Sequence, residues 1–116
     1  MERQARLRCA DDFERARREG RSWPHPLLVL VARPNSLDRT RVGVAASRSV
    51  GQAVMRNRAR RLLRESARHL YPYLEPGWDL VLIARSPILA AREPEVRQAL
   101  RHLVERAGLL RENHTP

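Results

Sequence analysis

One cysteine, Cys9, occurs in 116 residues. That excludes a disulfide framework and a cysteine-based metal site. Lysine is absent, so all 23 basic residues are arginine. Aromatic residues make up only 4% of the chain, too few for the rows of stacking platforms on which single-strand binders commonly rest. No apolar run is long enough to span a bilayer, and the opening MERQARLRCADD is basic and then acidic rather than a signal peptide. A soluble cytoplasmic protein with no membrane partner is expected. His25, His69, His102 and His114 are scattered without ligand spacing, and none lies in a motif with a nucleophile or paired acid. Asp11 and Asp12 could bind a metal, but capping a helix is the commoner use of such acids. The sequence offers no catalytic set, and neither an internal repeat nor a low-complexity segment.

What the chain does have is positive charge and enough apolar residues for a core. Its length fits one domain over residues 1–116, with an ordered core over 6–110 and a tail over 111–116. The formal net charge is +10. Seven arginines against Glu65 place +6 of it between Ser47 and Arg68, in SRSVGQAVMRNRARRLLRESAR. On a helix starting at Val54, Met55, Ala59, Leu62, Leu63, Ser66 and Leu70 fall within an arc of about 100°. Arg56, Asn57, Arg60, Arg61, Arg64 and Arg68 fall on the other side, and Arg58 flanks the arc. The apolar stripe must pack, which leaves the arginines outside. A solvated helix face normally mixes signs, whereas like charges one turn apart repel by a few tenths of a kcal/mol per pair. The pattern therefore favours a polyanion over a merely solvated face. A basic stripe on a small domain is the electrostatic footprint of nucleic-acid binding. Arginine suits it, because the planar guanidinium engages phosphate bidentately and stacks on bases.

Along the chain, residues 1–10 read as an extended arm whose Arg6 and Arg8 could reach an anion. Asp11 with Glu14 reads as a capping box for a helix that runs to about Glu19 and ends at Gly20. Phe13 and Ala16 mark one face of it, with Phe13 either a core anchor or a platform for a base. Leu27 to Ala32 reads as a buried strand and Arg33 to Asp38 as a loop. Arg41 to Ala46 reads as a second strand, antiparallel to the first because the connection is short. Gly43 within it marks a close approach. The Ser47–Gly51 loop precedes the arginine helix, whose exposed N–H groups attract phosphate. That helix stops near Leu70. Trp78 to Ala84 reads as a central strand, parallel to RVGVAA across the helix. Pro94 opens a last helix, which Gly108 closes and which serves as cover for the sheet. The sum is an α/β (α+β) sandwich of helices on a small mixed sheet.

The stretch RVGVAASRSVGQAVMRNRARRLLRES resembles the signature of the protein subunit of bacterial ribonuclease P. RLRCADDFERARREGRS is similar to that family's opening helix, PGWDLVLIARSP to its later strand, and LRHLVERAGLL to its last helix. The resemblance implies an α-β-β-β-α-β-α order with a short extra strand near Arg21–Trp23. It also implies a left-handed β-α-β crossover, where the general rule gives a right-handed one. It implies an accessory subunit of a ribonucleoprotein endonuclease. The partners would be the catalytic ribonuclease P RNA and precursor tRNA, with no DNA. The reaction would be hydrolytic removal of the 5′ leader, with Mg²⁺ held mainly by the RNA. By position, Ser47, Arg48, Arg56, Asn57, Arg58, Arg60, Arg61, Arg64 and Arg68 would bind RNA. Phe13, Arg17, Leu28, Leu30 and Val31 would line a leader cleft between the first helix and the sheet. Family members often carry aromatics where this chain has Arg17, Leu28 and Val31, so the cleft would lean on charge and aliphatic contacts. A structural RNA-binding protein and a DNA-binding or self-sufficient enzyme are the readings it displaces.

Overall fold

The computed structural model describes residues 3–111; of the tail expected over 111–116, residues 112–116 lie outside them. Helix α1 (Ala10–Glu19) is followed by strands β1 (Arg21–Pro24), β2 (Leu28–Pro34) and β3 (Arg41–Ala46). Helix α2 (Ala53–Leu70), strand β4 (Trp78–Ala84) and helix α3 (Glu93–Arg106) complete the order. This is the expected α-β-β-β-α-β-α sequence, with β1 supplying the short extra strand. Strand β2 runs two residues further than expected, to Pro34, at the end of its pairing with β4.

The sheet order is β1-β2-β4-β3. Strands β2 and β4 are antiparallel, and β3 and β4 are parallel across α2. Strands β2 and β3 therefore run in opposite directions, as expected, but they do not pair. Strand β4 lies between them. From Leu80 to Ala84 it is an unbroken aliphatic run, and such a strand gains most where both its faces are covered. The connection from β2 to β3 arches over the start of β4 and is tied there. Asn35 Nδ2 donates to Asp79 Oδ1 at 2.9 Å and to the Arg39 carbonyl at 3.1 Å.

Alternation along the strands divides the core. Leu28, Leu30, Leu80, Leu82 and Val42 face α2 and α3 and form the main core with Leu63, Leu70, Leu100 and Leu103. The opposite face carries a smaller cluster of Leu7, Ala16, Val31 and Val81, with Phe13, Val29 and Ile83 partly buried against it. One helix, α1, covers that face. Its backbone enters the helix at Cys9, which makes no side-chain cap, so the expected Asp11–Glu14 capping box does not form. Asp11 and Asp12 instead lie in the first turn, where negative charge complements the helix dipole. Asp12 is 3.4 Å from Arg41 on β3, and at the other end of α1 Glu19 accepts from Arg33 Nε at 3.0 Å. That bond holds the Glu19 carboxyl below the usual carboxylate range. Gly20 closes the helix with extended backbone; a Cβ there would meet the Ala32 carbonyl at 2.7 Å, so close packing is what requires glycine.

The packed stripe of α2 is Ala59, Leu63, Ser66, Ala67 and Leu70. It is rotated from the expected arc. Leu62 is only partly buried, and Met55 is exposed. The first turn of α2 is exposed, where the chain has left β3 through a 3-10 turn at Arg48–Val50 and swung round at Gly51 with φ of 142°.

Candidate nucleic-acid interface

Three elements converge at the outer edge of β3. The arm before α1 is not a free extended tail. Ala5 and Leu7 are buried, Arg6 bridges to Val42 in parallel, and Leu7 N donates to the Val42 carbonyl at 2.9 Å. Pinned this way, the arm holds Arg6 and Arg8 opposite α2. Between them opens a cleft of about 550 Å³. One wall is Arg6 and Arg8, the other is Arg61, Arg64, Glu65 and Arg68, and Phe13 with Val42–Val44 forms the floor. Five guanidinium groups against one carboxylate line it. The Phe13 ring lies directly on Gly43: a Cβ at Gly43 would fall 2.4 Å from Phe13 Cζ. The close approach expected at Gly43 is thus made by an aromatic ring. Phe13 packs against the small core and its ring also floors the open cleft.

Along α2, Asn57, Arg58, Arg61, Arg64 and Arg68 are exposed, while Arg56 and Arg60 are half-buried at its flank. Arg60 donates to the Asn57 side-chain oxygen. Arg68 Nη2 donates to Glu65 at 2.5 Å. This hydrogen bond lowers the Glu65 pKa and raises that of Arg68. Among the described residues, Arg48, Arg56, Arg58, Arg61 and Arg64 have no carboxylate within 4.0 Å. The one acid of the face is thus taken up locally, and the rest of the charge is available. Ser47 and Arg48 are exposed beside the start of α2, where Ser47 Oγ and Ser49 Oγ lie 2.6 Å apart.

The leader-cleft residues divide differently. Phe13 is in the cleft, and Arg17 is exposed one turn further along α1. Val31 is on the α1 face but only 4% exposed, packed with Ala16. Leu28 and Leu30 are fully enclosed on the opposite face, under α2 and α3. They cannot line a cleft on the α1 side, because even and odd positions of β2 point to opposite faces. The accessible apolar residues beside Phe13 are Val29 and Ile83, cross-strand partners that are half-buried. Counting by twos from Val31 would have reached Val29.

A polar network ties this region to the sheet centre. Asp79 is 2% exposed and accepts from Arg41 Nε at 2.9 Å and Nη2 at 2.8 Å. These bonds, with Asp12 nearby, raise the Arg41 pKa. Arg41 therefore links the centre of the sheet to the first turn of α1, one residue before Phe13. Asp12 and Asp79 are both engaged by it. Among the described residues no group of three or more His, Cys, Asp or Glu is placed to hold a metal ion. No helix among them is long and apolar enough to cross a membrane.

Comparison with known proteins agrees with this architecture. The family model described as Ribonuclease P matches residues 1–108. The ribonuclease P protein component of Roseiflexus castenholzii is 44% identical over 111 residues, covering 95% of this chain and 91% of that one. That of Herpetosiphon aurantiacus is 40% identical over 116 residues, covering 100% and 94%. Among solved structures, a Staphylococcus aureus RNase P protein mutant with defective mRNA degradation activity superposes with a TM-score of 0.84 at 26% identity, covering 95% of this chain and 93% of that one. The RNase P protein from Thermotoga maritima superposes with a TM-score of 0.78 at 31% identity, covering 87% and 96%. With the family model spanning nearly the whole sequence and the relatives matching end to end, this chain belongs to the ribonuclease P protein family.

Proposed function

We propose that this chain works within ribonuclease P by holding two RNAs on adjoining surfaces. The exposed face of α2, from Ser47 and Arg48 through Arg56–Arg64 to Arg68, binds the catalytic RNA. The α1 side, with Phe13, Arg17 and the half-buried Val29 and Ile83, takes the 5′ leader of precursor tRNA. The observation that carries this reading is the cleft that joins them, five arginines around an aromatic floor. Phosphates engage the guanidinium walls through charge-assisted, bidentate hydrogen bonds. A leader base can lie on the Phe13 ring or its aliphatic neighbours, which supports binding with little base preference.

Chemistry belongs to the RNA in this reading. Mg²⁺ ions held mainly by the RNA would activate water and stabilise the leaving oxygen. Asp12 and Asp79 are both engaged by Arg41. The protein contributes affinity and placement: it neutralises phosphate charge where two polyanions meet. The same reading places it in the cytoplasm, with its substrate.

Equilibrium binding to a bacterial ribonuclease P RNA over a salt series tests the arginine face. Arg61→Ala with Arg64→Ala should weaken binding and lower the salt slope by about one to two, because each phosphate contact contributes roughly 0.7–0.9. An unchanged slope in folded protein would mean that the face is merely solvated.

A further inference from the structure

Three large apolar side chains are exposed among the described residues: Leu37 at 38%, Val54 at 79% and Met55 at 46%. Two of them are adjacent, in the first turn of the arginine helix. At helical spacing Val54 shares a stripe with Arg58, Arg61, Glu65 and Arg68. It therefore stands on the outward cationic face, well away from the packed stripe centred on Ala59 and Leu63. Met55 lies against the loop: a Cβ at Gly51 would fall 2.6 Å from Met55 Sδ. Gly51 leaves room for the thioether, which stays half-exposed next to Val54.

This placement needs a cause. A β-branched residue on an exposed helix position gains nothing from the core and is a poorer helix former than Ala, Arg or Gln. A surface made only for phosphates would carry a donor there. We propose that Val54 and Met55 form an apolar seat for one unpaired, unstacked nucleobase of the catalytic RNA, with the neighbouring phosphates on Arg58 and Arg61. The inference rests on the reading that this arginine face binds that RNA. Charge complementarity selects the partner class: on the stripe that Val54 begins, the nearest cations, Arg58 and Arg61, make no ion pair among the described residues, and the one acid, Glu65, is taken up by Arg68. Within a polyanion, the base plane is the part that an aliphatic side chain and a polarisable thioether can cover favourably.

The test is binding of the full-length chain to a bacterial ribonuclease P RNA, without substrate, over a potassium chloride series. Val54→Ala removes the apolar contact and improves helix propensity, so a loss of affinity cannot come from a weakened helix. The expected result is binding weaker by about fivefold with an unchanged salt slope. Val54→Lys is the sharper variant. If the face acts by charge alone, this added cation tightens binding and steepens the slope by roughly 0.7–0.9. The seat requires that Val54→Lys bind more weakly than the parent. Tighter binding by Val54→Lys with unchanged binding by Val54→Ala would overturn the seat. So would a change in oligomeric state on substitution with no change in RNA affinity, which would assign the patch to a second copy of this chain. Arg61→Ala run beside them separates the two levels. If it too leaves affinity and slope unchanged, the arginine-face reading has failed, not the seat alone.

Discussion

Gly43→Ala is a small change with a consequence that can be worked out from the geometry. Gly43 lies in β3 and its φ is not positive, so the backbone accepts alanine. The obstacle is the Phe13 ring. An added methyl would lie 2.4 Å from Cζ, 2.9 Å from Cε1 and 3.0 Å from Cε2. Non-bonded carbons settle at about 3.5–4.0 Å, so the ring must retreat by roughly 1 Å. It has little freedom to do so, because Asp12, one residue earlier, is 3.4 Å from Arg41. Overpacking of this kind costs about 1–3 kcal/mol. Replacing a strand glycine returns about 0.5–1 kcal/mol. The net expectation is a loss of about 0–2.5 kcal/mol, read from urea denaturation. Phe13→Ala removes the clash, so the double variant should be more stable than the sum of the single losses. Displacing the ring should also weaken binding of leader-bearing precursor while sparing binding of the catalytic RNA. A Gly43→Ala protein as stable as the parent, with additive behaviour in the double variant, would refute the contact and the role given to Phe13.

Other expectations follow from burial and charge. Leu63→Ala should cost about 2–5 kcal/mol in denaturation, and Leu62→Ala clearly less, because Leu63 is fully enclosed and Leu62 is not. Arg41→Met should cost about 3 kcal/mol, since it leaves the buried Asp79 carboxylate with Asn35 as its remaining side-chain donor; the same denaturation series measures it. Glu65→Gln should tighten catalytic-RNA binding at low salt by freeing Arg68 from the carboxylate that it hydrogen-bonds. It should also flatten the acid limb of stability. The folded Glu65 pKa lies below its ordinary 4.5, so its contribution is present above 4.5 and fades as pH falls through the lower folded value. A stability–pH profile of parent and variant shows the difference below that pH.

Strands β3 and β4 were legible from aliphatic runs flanked by turn residues, and their parallel pairing followed from the single helix between them. The central place of β4 was legible in its apolar run, but the full sheet order was not, because a short β2–β3 connection sets direction and leaves adjacency open. Leu28 and Leu30 were misplaced for a related reason. An unbroken aliphatic run carries no alternation to tell one face from the other, so only the sheet reveals which residues α1 covers. That most α2 arginines lie outside was legible because charge is conspicuous, whereas the exposed Met55 depends on the turn at Gly51. The Arg41–Asp79 pair joins residues 38 apart, and no local pattern announces it. The cleft itself arises only when the arm docks on Val42 and brings Arg6 and Arg8 across from α2.

The most direct measurement is cleavage of a precursor tRNA by a bacterial ribonuclease P RNA at low Mg²⁺, with and without this protein. The expected result is cleavage at the mature 5′ end restored by the protein, which is inert alone. If the protein binds the RNA and leaves cleavage unchanged, or cleaves without it, the account of an accessory subunit acting through its arginine cleft is wrong.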